Sequence, residues 1–282
     1  MANDTDSTPN TPSLPSWARL PINRCNLPAV ILGGLHFQAH PQELLLDGVR
    51  PFHDALFKML DAIPDTLARA ERFMDYMTVH FVLETPEDAG GDKTVKKHRT
   101  KADYSRQIRG WFFDADGREA AVIKGWVESR FGLLTRYHKG RLHSDDPKND
   151  MYFTQERSQG IYNTHALDTQ LDLLYTYAQY EQKRACEATN NAYLTLYRGV
   201  NALSDFDVIE KTSKREANVI LNSMNSFTSD PERAGEFGDH ILKARIPRQK
   251  IFCTSELLPG RLRGENEFMV IGGAYNVTLQ YW

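Results

Sequence analysis

YLTLYRGV (193–200), HILKARIP (240–247), KIFCTS (250–255), EFMVIGGA (267–274) and NVTLQYW (276–282) are short runs of β-branched and aromatic residues separated by Gly, Pro and Asp. That texture predicts a strand-rich unit over 191–282 with mostly antiparallel strands. Upstream, the period changes. THALDTQLDLLYTYAQYEQKRACEATN (164–190) carries Leu171, Leu174, Tyr175 and Ala178 on one helical face, and GREAAVIKGWVESRF (117–131) reads as another helix. From Pro41 onward Leu44, Leu45, Val49, Phe52, Leu56, Met59 and Ile63 recur at helical spacing, with Pro51 placed to split the run. Pro64-Asp65 then stops it and caps a further helix reaching about Leu83. The expectation is an α+β protein, mainly helical over 17–190.

Two segments break these patterns. Residues 1–16 are rich in Ser, Thr, Asp and Pro and have almost nothing to bury, which predicts a tail. TPEDAGGDKTVKKHR (85–99) loses periodicity at its Pro and paired Gly, and a basic run near 91–101 follows, read as a solvated loop. GRLHSDDPKND (140–150) reads as a polar loop. With 41% hydrophobic and 11% aromatic residues, 282 residues can fill a core. A net charge of -3 offers no overall attraction to nucleic acid. No stretch approaches a membrane span, and the first residues lack a signal-peptide layout. Three scattered cysteines fit neither a disulfide framework nor a four-ligand zinc site, so a reducing cytoplasm is expected. His36 and His40 have chelating spacing only on a helix and lack a third ligand nearby, so no metal is expected. Neither a Walker loop nor GxGxxG is present, which sets aside P-loop kinases and Rossmann dehydrogenases.

Three local signals fall in the strand-rich part: Tyr197-Arg198-Gly199 ending a strand, Ser226-Phe227-Thr228-Ser229 opening another, and Glu265-Asn266-Glu267 leading into Phe268. Each alone has a plain reading. A strand arginine is usually a surface charge, a Ser/Thr cluster before Asp230-Pro231 is usually a turn or cap, and two glutamates usually mark an exposed edge. Together they say more. Strand alternation would put Glu265 and Glu267 side by side on one face, an unfavourable pair unless it has a role. Arg198 supplies a planar donor fork suited to phosphate, and Gly199 would admit a ligand close to the backbone.

This Arg, Ser-x-Thr, Glu-x-Glu series resembles the R-S-E class of ADP-ribosyltransferases. The run after Phe227, with its Ala234 to Phe237 turn, is similar to that class, and the whole chain resembles the dinitrogenase reductase ADP-ribosyltransferases of nitrogen-fixing bacteria. One departure is Phe227, which stands where the class commonly has Thr in Ser-Thr-Ser. The resemblance implies a catalytic core of two small, mostly antiparallel sheets with NAD as substrate in a cleft to which helices from 164 onward contribute. It assigns Glu267 to catalysis, Ser226 to orienting it and Glu265 to the arginine acceptor. Arg198, Gly199, Thr228 and Arg233 are assigned to NAD. LLPGRLRG (257–264), with Arg261 and Arg263, corresponds to the acceptor-recognition loop.

The resemblance further implies reversible inactivation of dinitrogenase reductase, the nitrogenase iron protein, by modification of an arginine that blocks docking to its electron-acceptor partner. It also implies control by a PII-type protein through the helical part or the basic loop. Two rival readings share the site: an NAD glycohydrolase, which needs no Glu265, and a catalytically silent NAD-binding regulatory module.

Overall fold

The computed structural model describes residues 13–83, 102–161, 164–202, 206–260 and 266–281. Short helices α1 (Ala29–Leu32), α2 (Leu35–Ala39), α3 (Val49–Phe52) and α4 (Asp54–Asp61) lead into α5 (Thr66–Phe81). The Asp65 carboxylate accepts the Ala68 N–H at 2.7 Å, the N-cap that the sequence predicts. The helix expected from Pro41 begins later, after Gly48 at φ 74, and residues 41–45 have no regular structure. The break falls at His53; Pro51 sits in the first turn of α3, where it removes no helical hydrogen bond. His36 lies within α2 and His40 is its C-cap residue, with ring centroids 5.0 Å apart.

Next come α6 (Tyr104–Phe113), α7 (Arg118–Phe131), α8 (Lys148–Gly160) and α9 (Thr164–Thr189). Neither α6 nor α8 is legible as a helix in the expectations above. α6 is capped by Asp103, which accepts the Ser105 N–H at 2.8 Å, and it buries Tyr104, Ile108 and Trp111. α8 begins inside the polar 140–150 stretch and buries only Phe153 and Gly160, so its apolar pattern is thin. α9 is anchored to the strands by Tyr175 Oη donating to the Gln249 carbonyl (2.9 Å) and Gln179 Nε2 to the Ile251 carbonyl (2.8 Å). Buried Arg69 and Arg130 pair with Glu181 (2.7 Å) and Asp172 (2.6 Å), so neither charge is left uncompensated.

The strands are β1 (Tyr193–Val200), β2 (Asp207–Lys211), β3 (Glu216–Thr228), β4 (His240–Pro247), β5 (Ile251–Thr254) and β6 (Glu267–Tyr281), with α10 (Pro231–Gly235) between β3 and β4. All pair antiparallel, in the order β2-β3-β1-β4-β6-β5. The α+β expectation holds, with one refinement. β3 also pairs with β6, so the strands expected as two sheets form one hydrogen-bonded network that returns on itself. EFMVIGGA and NVTLQY belong to one long strand, β6. It turns between the two layers at Gly272, opposite a bulge between Leu221 and Met224. A Cβ at Gly272 would lie 1.8 Å from the Asn222 carbonyl oxygen, so only glycine permits this bend.

Alternation along β3 and β6 then feeds two cores. Leu221, Phe227, Val270 and Tyr275 pack with Leu196, Leu242 and Ile246 between the strands. Met224, Met269 and Ile271 face the helices and join Trp111, Trp126, Leu171 and Tyr175. The first residues of the fold are stitched to β6: Ala274 N–H donates to the Gly33 carbonyl (2.7 Å), and Asn276 N–H donates to Gln38 Oε1 (2.7 Å). Leu14, within the segment expected to be a tail, is buried in this core. The basic loop near 91–101 and Trp282 lie outside the described residues. Among those described, no helix is long and apolar enough to cross a membrane.

Candidate active site

Antiparallel pairing sets Tyr197 of β1 opposite Thr228 of β3, and Thr228 opposite Glu267 of β6. The three signals therefore meet in one row across three strands, though they are separated by up to 70 positions in the chain. The serine motif closes β3 and does not open a strand: its hydroxyls sit where β3 hands over to α10, after the largely buried run 217–225. Alternation turns the Phe227 side chain into the inter-strand core and leaves Ser226 and Thr228 on the opposite face, so the aromatic substitution falls on the packing position.

A cavity of about 300 Å³ lies over this row. Arg198, Gly199, Ser226, Thr228, Arg233 and Glu267 all line it. Arg198 Nη1 donates to the Ser226 carbonyl at 2.9 Å, and its Nε is buried with no partner among the described residues. Burial pulls the guanidinium below the usual arginine range, against the opposing influence of Asp116. Desolvation holds the Glu267 carboxyl above the usual glutamate range, with Arg233 pulling the other way. Thr228 Oγ1 accepts the Asp230 N–H at 3.1 Å, which ties it to the turn into α10. Arg233 is half-exposed and reaches Glu236 at 3.3 Å.

Gly199 lines the cavity, and a backbone contact also requires a glycine there. A Cβ there would stand 2.1 Å from the Ala234 carbonyl oxygen, so it is the backbone of α10 that approaches β1. Glu265, Arg261 and Arg263 lie outside the described residues. Glu267 is the first residue of β6, and Asn266 before it has φ 59, so extended alternation does not run through Asn266. No hydrogen bond joins Ser226 to Glu267 among the described residues; the Ser226 hydroxyl instead accepts the Trp111 indole N–H at 3.0 Å.

Trp111 is a site residue outside the three sequence signals. With Phe112 and Ala115 it walls the cavity from the end of α6; of the helices from 164 onward, α10 contributes Arg233 and Ala234 to the wall, and α9 contributes none among the described residues. The detectable signal was the Asp103 cap followed by Tyr104, Ile108 and Trp111 at helical intervals. Behind the wall, buried Lys124 donates to Asp116 (2.7 Å) and the Tyr137 carbonyl (3.1 Å), and its Nζ lies 3.3 Å from His138 Nδ1. Burial lowers Lys124 and, with Lys124 adding to the effect, takes His138 down to about 4, so the imidazole is neutral at physiological pH. This cluster fixes the carboxylate that faces Arg198. Size does not single out the site: a hollow of 590 Å³ lies between α5 and α9, but its Arg69 and Glu181 satisfy each other.

Loss of the indole donor isolates its contribution. Trp111→Phe keeps an aromatic wall and removes one neutral hydrogen bond, so turnover at saturating NAD should fall about 2–10-fold. Steady-state kinetics of nicotinamide release would check this, and unchanged turnover would reduce Trp111 to packing.

The family model described as dinitrogenase reductase ADP-ribosyltransferase matches residues 22–279. The chain belongs to that family. Within the dinitrogenase reductase ADP-ribosyltransferases, a relative named NAD(+)–dinitrogen-reductase ADP-D-ribosyltransferase, from Rhodospirillum rubrum, is 35% identical over 261 residues, 92% of this chain and 94% of that protein. No solved structure matches the chain. The family match covers the helical part as well as the strands, as the resemblance of the whole chain implied.

Proposed function

We propose that this chain transfers ADP-ribose from NAD to an arginine side chain of dinitrogenase reductase and thereby inactivates it reversibly. The observation that carries the reading is that Arg198, Ser226 and Glu267 line one cavity. The bond between nicotinamide N1 and ribose C1′ breaks. The leaving nitrogen is cationic in NAD and departs neutral, so the site needs no general acid. It must instead stabilise positive charge growing on the ribose. The Glu267 carboxylate, in a partly desolvated position, does this and accepts a hydrogen bond from the 2′-hydroxyl. Arg198 offers its unpartnered Nε to the phosphates. Arg233 is a second, more exposed cation lining the cavity, and Ser226 with Thr228 shapes the wall beside Glu267.

The acceptor guanidinium is a poor nucleophile because physiological pH lies far below its pKa and keeps it protonated. Glu265 orients it, and the proton released as the new C1′–N bond forms passes to that carboxylate. The acceptor loop 257–264 presents the target, and a PII-type protein controls access through the helical part, in a cytoplasmic setting. In purified enzyme with NAD and an arginine acceptor, Glu265→Gln should retain nicotinamide release and lose ADP-ribosyl transfer by about 10²-fold or more, the scale of a missing general base. Transfer at the wild-type level would remove Glu265 from the reaction; label recovered on cysteine or serine would overturn the arginine assignment.

A further inference from the structure

A second hollow, of about 610 Å³, opens on the other side of Arg198 and shares Arg198, Gly199 and Phe237 with the first. Its far wall carries Arg136 and Arg141, from the segment after α7, and Asp207 at the start of β2. Arg136 Nε donates to Asp207 Oδ2 at 2.9 Å, and Arg141 Nη2 donates to Oδ1. Both carboxylate oxygens are thus engaged, yet neither arginine is exhausted. Each guanidinium has five N–H donors, and among the described residues the Nη groups of Arg136 have no hydrogen-bond partner. Arg136 is held in place: its guanidinium lies 4.7 Å from the Trp17 ring centroid, and its own N–H donates to Asn222 Oδ1 at 2.8 Å. The Asn222 side chain returns a bond to the Tyr137 carbonyl at 2.8 Å, fixing this segment to β3.

We infer that the second hollow is the subsite for the ADP half of the dinucleotide, with Arg136 and Arg141 taking the distal side of the pyrophosphate that Arg198 takes from the proximal side. This rests on the NAD reading above and adds where the rest of the molecule goes. Three guanidiniums against one carboxylate leave two positive charges, which match the two negative charges of a pyrophosphate. A hollow of 300 Å³ is at the lower end for a drug-sized ligand, so the nicotinamide ribose occupies it and the adenosine must extend beyond it. Arg198 lines both hollows, and its buried Nε has no hydrogen-bond partner among the described residues. Arg233, assigned to phosphate from the sequence, lines the first hollow beside Phe237, which both hollows share.

The test uses the full chain and two probes, ADP-ribose and nicotinamide, titrated calorimetrically beside NAD. Arg141 is more than half exposed, so Arg141→Gln should fold normally, with thermal melting as the control. It removes a charge-assisted contact and should weaken ADP-ribose and NAD by about tenfold while nicotinamide affinity stays the same. Arg136→Gln should act in the same direction, and Arg141→Lys should recover part of the loss. ADP-ribose affinity unmoved by Arg141→Gln, or nicotinamide weakened equally, overturns the subsite while NAD binding by the wild type leaves the underlying function standing. A wild-type chain that binds neither NAD nor ADP-ribose overturns both.

Discussion

Glu267→Gln should bind NAD with near-normal affinity and release nicotinamide about 10²–10³-fold more slowly, the cost of removing one preorganised electrostatic group from a developing charge. The amide has the same shape and can still accept from the 2′-hydroxyl, so binding survives. What disappears is the negative charge that strengthens only as the ribose becomes cationic, a term realised in the transition state and not in the ground state. The loss should therefore appear in kcat and leave KM largely alone. The pH dependence follows from the same environment. Desolvation raises the Glu267 pKa, and catalysis needs the ionised form. Activity should thus be fully present above that raised value and fall as the pH drops through it, with the acid limb lying above the usual glutamate range. The variant should lose this limb. Wild-type nicotinamide release by Glu267→Gln would remove the carboxylate from the chemistry, and an acid limb surviving in residual activity would assign it to another group.

The second large effect is structural. Gly199→Ala should lower both stability and NAD affinity, because its Cβ would come 2.1 Å from the Ala234 carbonyl oxygen, 2.9 Å from the Phe237 carbonyl carbon and 3.0 Å from the Gly238 nitrogen. All three are backbone atoms, so no rotamer change relieves the clash. α10 must move away from β1, carrying Arg233, Ala234 and Phe237 off the cavity wall. Overpacking of this kind costs about 1–3 kcal/mol, and each kcal/mol lowers Tm by about 2–4 °C in a chain of this size. Calorimetry and the KM for NAD read the two consequences together. A variant that melts with the wild type and keeps its KM would show that β1 and α10 are not in register with each other as described. Gly199 was read from the sequence as a door for the ligand; in the fold it lines the cavity and is also the place where two backbones touch.

The amino-acid sequence by itself determined the class of the protein and the identity of its chemical groups. Periods of about two and about 3.6 separate strand from helix, Asp65 caps where a cap was expected, and a guanidinium, a hydroxyl pair and a carboxylate stand next to or on strands. These are local properties, carried by neighbours in the chain. Tertiary structure alone decided which surfaces meet. Trp111 lies 115 positions from the serine whose hydroxyl it holds, and Arg136 lies 71 positions from Asp207. The closure of β3 onto β6 depends on a bulge facing Gly272. No period or motif encodes such pairings, because they arise from how apolar faces bury against one another over long loops, and a tryptophan with a satisfied N–H reads the same in a core as in an active-site wall.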